Sequence, residues 1–251
     1  MRFIIKNCRL LSGDDEVTRN ILVSDGRIKS ISEKPLKAEK EHDACGNFVI
    51  PGVIDPHVHL REPGLTYKED FCTGSKAAAA GGITTFMDMP NTIPPTISLD
   101  ALEEKRLLAM KSIVNYGLYF GAASGNAKEI RKAAGMNTAA TKLFMNLSTG
   151  KMMIDDMGAV EKAFRASRMV AVHAEKEKVA EAVHHAKKTA RKLYLCHISM
   201  KQEIDFLREN KFPGIFAEAT PHHLFLTEND YRKQKGFAKM FPSLKKKKDQ
   251  D

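Results

Sequence analysis

The chain has 251 residues, which is long for one domain and short for two, because domains usually contain about 100–200 residues. Hydrophobic residues make up 43% of the chain and charged residues 28%, which excludes a wholly disordered, collagen-like or coiled-coil protein. No apolar run approaches the ~18 residues of a membrane span, and the first residues do not form a secretory signal. We therefore expect a soluble, cytoplasmic protein without a membrane partner.

The net charge of +9 raises the question of nucleic acid binding. The basic residues are scattered, and the one dense run, at 245–248, has no aromatic residues between its lysines. A surface of this kind serves solubility or attracts small anions, so we expect no nucleic-acid partner.

The cysteine spacing and the glycine pattern exclude several site types. The four cysteines, Cys8, Cys45, Cys72 and Cys196, form no CxxC pair, so neither a zinc knuckle nor a thioredoxin-type site is expected. Reduced thiols are the default in the cytosol. No GxGxxG or GxxxxGK[ST] motif occurs, which sets aside Rossmann and P-loop enzymes.

The chain falls into two parts by pattern. Residues 1–50 are predicted to form a β segment with strands at 3–5, 21–23 and 48–50 and a turn at 24–27. From 51 to 251, apolar strands alternate with helical stretches. The strands are predicted at 53–55, 83–87, 116–120, 142–145, 169–172, 193–196 and 215–217, with helices at 99–110, 156–166, 176–190 and 201–210. This alternation favours an α/β fold with a parallel sheet covered on both faces, a (β/α)8 barrel of which seven units can be counted.

Four histidines follow strands at the barrel face that carries chemistry. His57 and His59 follow the first strand, His173 the fifth and His197 the sixth. Three further histidines do not follow strands and are predicted to be solvated surface residues: His42, His184 and His185.

The pair His57 and His59 stands two residues apart on one strand. Side chains at that spacing point the same way, so both imidazoles can meet one zinc ion. Alone the pair is a weak signal, because two histidines on one strand face can also be buried and hydrogen-bonded. His173 and His197 strengthen the metal interpretation, since they stand at the same ends of later strands.

Lys142 is an unexpected residue in the apolar fourth strand. Two metals ~3.5–4 Å apart need a bridging anion, usually a carboxylate, and no Asp or Glu ends this strand. Two interpretations stay open. Lys142 is a snorkelling or ion-paired lysine, or it is carboxylated by CO₂ and becomes the missing bridge.

Several motifs in order resemble dihydroorotases of the cyclic amidohydrolase superfamily. They are PGVIDPHVHLREPG at 51–64, MPNTIPPT at 89–96, KLFM at 142–145, HAE at 173–175, CHIS at 196–199 and EATPHHL at 218–224. The resemblance extends over almost the whole chain. It implies a TIM-type barrel at 51–251, and a segment at 1–50 that forms part of a small composite sandwich subdomain.

The resemblance also implies roles for particular residues. His57 and His59 would bind one zinc ion, His173 and His197 a second, and carboxylated Lys142 would bridge them. Arg61 and Asn91 would hold the carboxylate of the substrate, which suits the bidentate fork of arginine. Some relatives use residues similar to Cys196 and Glu218 around an extra zinc ion, although a cysteine at this position otherwise packs in the core.

The reaction implied is the reversible cyclisation of N-carbamoyl-L-aspartate to L-dihydroorotate in pyrimidine synthesis, with a small-molecule substrate and a homo-oligomeric enzyme. Two alternatives are weighed. Arg61 and Asn91 argue against an allantoinase or hydantoinase, whose substrates lack that carboxylate. An inactive scaffold for aspartate transcarbamoylase is disfavoured because the HxH pair and Lys142 are present.

The end of the chain raises a further expectation. The segment MFPSLK at 240–245 resembles the part of the family that precedes the eighth strand, and no motif like the family's general-acid aspartate occurs in the sequence. We expect this aspartate beyond residue 251, and hence no catalytic acid within the chain. The chain taken alone is therefore predicted to be a truncated barrel with little dihydroorotase activity.

Overall fold

A computed structural model of the protein describes residues 1–250. The chain divides into two compact units, of which the first is Met1–Gly52 and the second begins at Val53. None of the helices in the described chain is long and apolar enough to cross a membrane.

The first unit is one four-stranded sheet. Its strands are β1 (Arg2–Ser12), β2 (Asp15–Ser24), β3 (Arg27–Ser32) and β4 (Lys40–Asp43), in the order β3-β2-β1-β4. Asp25 and Gly26 both have positive φ angles, 53° and 70°, as a two-residue type I′ hairpin turn requires, so the predicted turn is confirmed. The strand predicted at 48–50 is wrong, since Phe48 makes only an isolated bridge to Arg9.

The strands of the second unit are parallel and follow one another in sequence order. They are β5 (Val53–Val58), β6 (Ile83–Asp88), β7 (Asn115–Leu118), β8 (Phe120–Gly121), β9 (Thr141–Phe144), β10 (Met169–His173), β11 (Lys192–Leu195) and β12 (Ile215–Ala217). They form the sheets β5-β6-β7 and β8-β9-β10-β11-β12. Within residues 1–250, neither β5 nor β12 has a strand on its outer side.

The third predicted strand is divided in two. β7 pairs with β6, and β8 pairs with β9. Between them the Tyr119 N–H donates to the Asp88 carbonyl at 3.0 Å, and the next N–H, of Phe120, donates to the Ala140 carbonyl at 3.1 Å. The wall of seven strand positions therefore continues through this break, and the predicted α/β barrel pattern is confirmed.

Helices alternate with these strands. They are α1 (Phe71–Ala80), α2 (Leu99–Ala109), α3 (Ala127–Ala133), α4 (Met157–Ala166), α5 (Glu177–Thr189), α6 (Lys201–Glu209), α7 (Pro221–Phe225) and α8 (Glu228–Gln234), with 3-10 turns at Lys235–Ala238 and Lys247–Asp249. Asp70 and Ser98 cap the first two, accepting hydrogen bonds from Thr73 and Ala101 N–H groups. The four predicted helices are confirmed to within one residue at each end.

Alternation along the strands separates an outer core from the barrel interior. Leu143, Val170, Val172, Leu193 and Leu195 belong to the large cluster shared with the helices. The intervening residues of β10 and β11 belong to a second, smaller cluster, which contains Met89, Tyr119, Ala140, Ala171, Tyr194 and Cys196. Because Lys142 stands opposite Ala171 in the sheet, its side chain belongs to this interior layer.

Candidate metal centre and substrate pocket

The four predicted histidine ligands meet at the carboxyl ends of the barrel strands. His57 lies in β5 and His59 directly after it, His173 ends β10, and His197 follows β11. The centroid of the His57 ring lies 5.3 Å from the centroid of the His59 ring and 5.2 Å from that of the His197 ring. The ring centroids of His173 and His197 are 4.5 Å apart. The structure therefore brings these four imidazoles together.

Several ring nitrogens in this cluster have no hydrogen-bond partner in the described chain. The buried, unpartnered atoms are His59 Nδ1, His173 Nε2 and His197 Nδ1. Buried polar atoms are almost always partnered, because an unmet nitrogen costs its full desolvation free energy. Imidazole nitrogens left in this way suit a metal ion as their missing partner.

Burial keeps three of these histidines in the neutral form that binds metal. It lowers the pKa of His59 and His197 well below the ordinary value. Burial, with the positive charge of Lys142, lowers the pKa of His173 to about 3. A metal ion therefore competes with few protons for these rings near neutral pH.

His57 behaves in the opposite way. Burial alone lowers its pKa, but the neighbouring Cys196 and Glu218 outweigh that effect and raise the pKa to about 9. The ring contacts the Glu218 carboxylate through Nδ1. Three possible ligand atoms lie within 4.8 Å of one another, one each from His57, Cys196 and Glu218. This group attracts a cation, whether a proton or a metal ion.

Lys142 is completely buried at the centre of the cluster. Its Nζ atom lies 3.0 Å from Cys196 Sγ and 5.1 Å from the centroid of the Phe144 ring. A snorkelling lysine is wrong, because no part of the side chain reaches solvent. Within residues 1–250 no carboxylate forms an ion pair with Nζ, so an ion-paired lysine would have the Cys196 thiolate as its partner, and this interpretation stays open.

Cys196 contacts both the apolar interior and the polar cluster. It packs in the interior cluster with Met89, Tyr119 and Tyr194, as a core cysteine does, and its sulfur also faces Lys142. Burial raises the pKa of the thiol, but the charges of Lys142 and His57 outweigh this and lower it. A thiol with a lowered pKa beside a histidine and a carboxylate has the character of a metal ligand.

Arg61 and Asn91 converge on one residue that the sequence analysis missed. Asn91 Nδ2 donates to Thr149 Oγ1 at 2.9 Å and to the Thr149 carbonyl at 3.0 Å, and an Arg61 guanidinium N–H donates to Thr149 Oγ1 at 3.3 Å. Thr149 lies in the loop after β9. That position was a detectable signal, because loops at the carboxyl ends of barrel strands carry the site residues.

A pocket of about 570 Å³ opens over Arg61 and Thr149. Its lining includes His57, His59, Arg61, Thr149 and His197. The other lining residues are Lys68, Ser148, Thr220, His222, Gly236, Lys239, Met240 and Phe241. Arg61, Lys68 and Lys239 make the pocket positive, and its described lining contains no aspartate or glutamate, so it suits an anionic small molecule.

Tyr194 is a second residue that sequence reasoning missed. Its hydroxyl donates to Glu218 Oε2, while the His197 N–H donates to Glu218 Oε1 at 2.9 Å. Glu218 is thereby held facing His57. No motif marks Tyr194 in the sequence, where it is one aromatic residue in an apolar strand.

The remaining histidines separate into surface and core residues. His42 and His184 are exposed, as predicted. The prediction for His185 is wrong: it is buried on α5, and its ring stacks on Phe164 at a centroid distance of 5.7 Å. The apolar face of α5 includes this position, because His185 follows the inward-facing Ala182 by three residues.

Residues 48–231 match the amidohydrolase family. Among curated relatives, the chain is 34% identical over 282 residues to a dihydroorotase of Methanosphaera stadtmanae, covering 96% of this chain and 64% of that protein. It is 32% identical over 286 residues to a dihydroorotase of Lactobacillus helveticus, covering 100% of this chain and 67% of that protein. The chain thus spans about two thirds of the length of these relatives.

Solved structures share the fold. The L-hydantoinase (dihydropyrimidinase) of Arthrobacter aurescens superposes with a TM-score of 0.91 at 28% identity, over 99% of this chain and 64% of that one. The dihydropyrimidinase of Brevibacillus agri superposes with a TM-score of 0.85 at 23% identity, over 100% of this chain and 64% of that one.

Proposed function

Because the chain belongs to the amidohydrolase family, we propose that it acts as a dihydroorotase, interconverting N-carbamoyl-L-aspartate and L-dihydroorotate in pyrimidine biosynthesis. The observation that carries the proposal is a positive pocket whose lining contains Arg61 and three histidines of the cluster, and whose lining residue Thr149 is bonded to both Arg61 and Asn91. Relatives named dihydroorotase, at 32–34% identity, support it.

His57 and His59 would hold one zinc ion, and His173 and His197 a second. The unpartnered ring nitrogens support this assignment. When bound, zinc lowers the pKa of water and polarises carbonyl oxygens. The chain's own contribution is to keep three of the imidazoles neutral and to hold the rings in place.

We propose that Lys142 is carboxylated and bridges the two ions. A buried ammonium without a carboxylate partner is costly, and Nζ donates its hydrogen bond to a thiol sulfur at 3.0 Å. After loss of a proton, the neutral Lys142 amine would add to CO₂ and release a second proton. The carbamate formed is an anion beside the two metal ions, which reverses the electrostatic cost.

Cys196 and Glu218 are proposed, with His57, as ligands of an additional zinc ion. Thiolate, carboxylate and imidazole are ligands that zinc commonly takes. The close grouping of their ligand atoms supports the set. Because His57 also belongs to the two-zinc assignment, counting the bound ions decides how the ring is used.

Arg61 and Asn91 would bind the carboxylate of the substrate in place of the Thr149 hydroxyl. Arginine offers two parallel N–H groups to a carboxylate, and asparagine adds a neutral donor. Lys68 and Lys239 line the same pocket and add positive charge, which suits a dianionic substrate better than a neutral hydantoin.

We further propose that residues 1–50 form one layer of a composite sandwich subdomain and 51–251 the amidohydrolase barrel. The proton that the leaving nitrogen needs has no carboxylic acid donor in the described pocket lining. General acid catalysis contributes about 10²–10⁴-fold, so turnover by this chain alone should be lower than that of relatives by that factor. A homo-oligomer and an aspartate transcarbamoylase partner stay predictions that gel filtration can test.

The experiment is to purify residues 1–251 with zinc and bicarbonate, to count bound zinc, and to assay both directions beside a hydantoin. Bound zinc, with slow turnover or binding of dihydroorotate, supports the proposal. Turnover of the hydantoin alone favours a hydantoinase, and absence of zinc favours a scaffold. Turnover within about tenfold of a relative would require another acid in the pocket.

A further inference from the structure

A buried ion pair lies behind the pocket, outside both the proposed metal ligands and the pocket lining. Asp88, at the end of β6, and Lys105, on α2, are both 0% exposed. Asp88 Oδ2 lies 2.6 Å from Lys105 Nζ. The two charges are thus paired in the protein interior.

Each member of the pair also bonds to backbone beside a proposed site residue. Asp88 Oδ1 accepts a hydrogen bond from the Leu60 N–H at 2.7 Å, and Leu60 stands between His59 and Arg61. Lys105 Nζ donates to the Met89 carbonyl at 2.6 Å, two residues before Asn91. The pair therefore connects the loop after β5, the loop after β6 and helix α2.

The backbone held in this way needs support. Arg61 has a φ angle of 66°, the left-handed region that a residue with a side chain rarely adopts. Such a conformation persists only where surrounding contacts enforce it. The bond from the preceding amide, of Leu60, to Asp88 is one such contact, and the Leu65 N–H supplies another by donating to the Arg61 carbonyl at 3.1 Å.

Stability alone is a weak reason for this arrangement. Burying two charges costs desolvation free energy, and replacing a buried ion pair by apolar residues of similar size is often neutral or stabilising. The two charge-assisted hydrogen bonds, by contrast, fix backbone position at both loops, which apolar residues cannot do.

We propose that Asp88 and Lys105 are positioning residues that hold Arg61 and Asn91 at the separation required to bind one carboxylate. The inference rests on the proposed function, since it assigns carboxylate binding to Arg61 and Asn91. It adds that the affinity for the carboxylate depends on two buried residues that do not touch it.

The test compares two double variants of the full chain. Asp88→Leu with Lys105→Met removes both charges and both hydrogen bonds. Asp88→Asn with Lys105→Gln removes the charges but keeps an acceptor for Leu60 and a donor for Met89. Ser167→Ala, which removes the buried hydrogen bonds of this hydroxyl at the amino ends of the strands, is the control for general destabilisation.

Two readouts are used: the dissociation constant of dihydroorotate for the zinc-loaded protein, and amide hydrogen exchange at 58–66. The Leu and Met variant should bind about tenfold more weakly, the scale of one charged hydrogen bond, with zinc content unchanged and faster exchange at 58–66. The Asn and Gln variant should recover most of the affinity, and Ser167→Ala should match the wild type in both readouts.

An unchanged dissociation constant in the folded Leu and Met variant overturns the proposal, as does unchanged exchange. Where that variant does not fold, Asp88→Asn with Lys105→Met replaces it. This pair of substitutions leaves no buried unpaired charge and removes only the bond to Met89, with the same expected weakening at the Asn91 loop. If the wild-type chain binds no dihydroorotate, the proposed function fails, and the exchange rates at 58–66 then decide whether the pair holds this loop.

Discussion

The two ends of the same parallel strands differ in how their buried polar groups are satisfied. At the amino ends, Ser167 Oγ lies 2.8 Å from Thr141 Oγ1 and 2.7 Å from the Ala163 carbonyl. At the carboxyl ends, buried nitrogens of His59, His173 and His197 have no hydrogen-bond partner in the described chain. The two hydroxyls at the amino ends thus satisfy each other, whereas the imidazole nitrogens at the carboxyl ends are left for a ligand.

Adjacent residues of one strand make the difference concrete. Thr141 and Lys142 are both buried in β9, but Thr141 bonds outward to Ser167, while Lys142 belongs to the interior layer near Cys196. A polar residue that bonds within the protein contributes to stability. A buried polar residue that lacks such a bond lowers the free energy of unfolding, and a ligand that supplies the missing partner restores it.

The largest effect is expected from Lys142→Ala. If Lys142 is the only anion between two zinc ions, its loss leaves their repulsion uncompensated, and most of the zinc and any activity should disappear. Zinc per chain by atomic absorption is the measurement. Thr141→Val, one residue away in the same strand, should keep its zinc. Restoration of Lys142→Ala by short carboxylic acids would support the bridge, and a normal zinc content would refute it.

The metal-free protein should lose stability as the pH falls from 7 to 5. Because the pKa values of His59, His173 and His197 are lowered, these rings bind protons between pH 7 and 5 in the unfolded chain but not in the folded chain. Below pH ~6.5, each ring therefore lowers the free energy of unfolding by up to about 1.4 kcal/mol per pH unit. His57, with its pKa raised to about 9, has the opposite sign and loses its contribution as the pH rises from 6.5 to 9.

Urea denaturation at several pH values measures this dependence. His173→Gln should make the loss between pH 7 and 5 shallower by about one proton. His184→Gln, at an exposed position on α5, is the matched control variant. Equal slopes in the wild type and His173→Gln would show that burial does not keep this ring neutral.

Arg61→Lys should weaken dihydroorotate binding by about 1.5–3 kcal/mol, the scale of a charged hydrogen bond, because a lysine ammonium cannot reproduce the bidentate fork. Zinc content should stay as in the wild type. Isothermal titration measures the affinity, and Arg165→Lys on the surface of α4 serves as the control. An unaltered dissociation constant would remove Arg61 from the carboxylate site.

The smallest effect is expected at the amino ends. Ser167→Ala removes the two buried hydrogen bonds of this hydroxyl and should lower the free energy of unfolding by about 1–2 kcal/mol, with zinc binding unchanged. Chemical denaturation and zinc analysis of the same preparation check both parts. A loss of zinc in this variant would mean that the two ends of the strands are coupled, contrary to the comparison.

Much of the fold followed from local patterns. Strand and helix positions in the second unit were predictable because apolar runs and cap residues are local signals, as at Ser98 and Asp156. The strand predicted at 48–50 failed because pairing depends on a partner that the local pattern does not contain. His185 was misassigned because a charged and alanine-rich helix hides which face packs against α4.

By itself, the sequence determined the candidate ligands, since histidines and a lysine following parallel strands must gather at one end of the sheet. Only the tertiary structure decided how those groups are satisfied. Thr149 meets both Arg61 and Asn91, Lys142 faces a thiol instead of a carboxylate, and Asp88 holds the Leu60 amide. These contacts join residues 28 to 88 positions apart, and such pairs are set by how strands and helices pack, which no local pattern encodes.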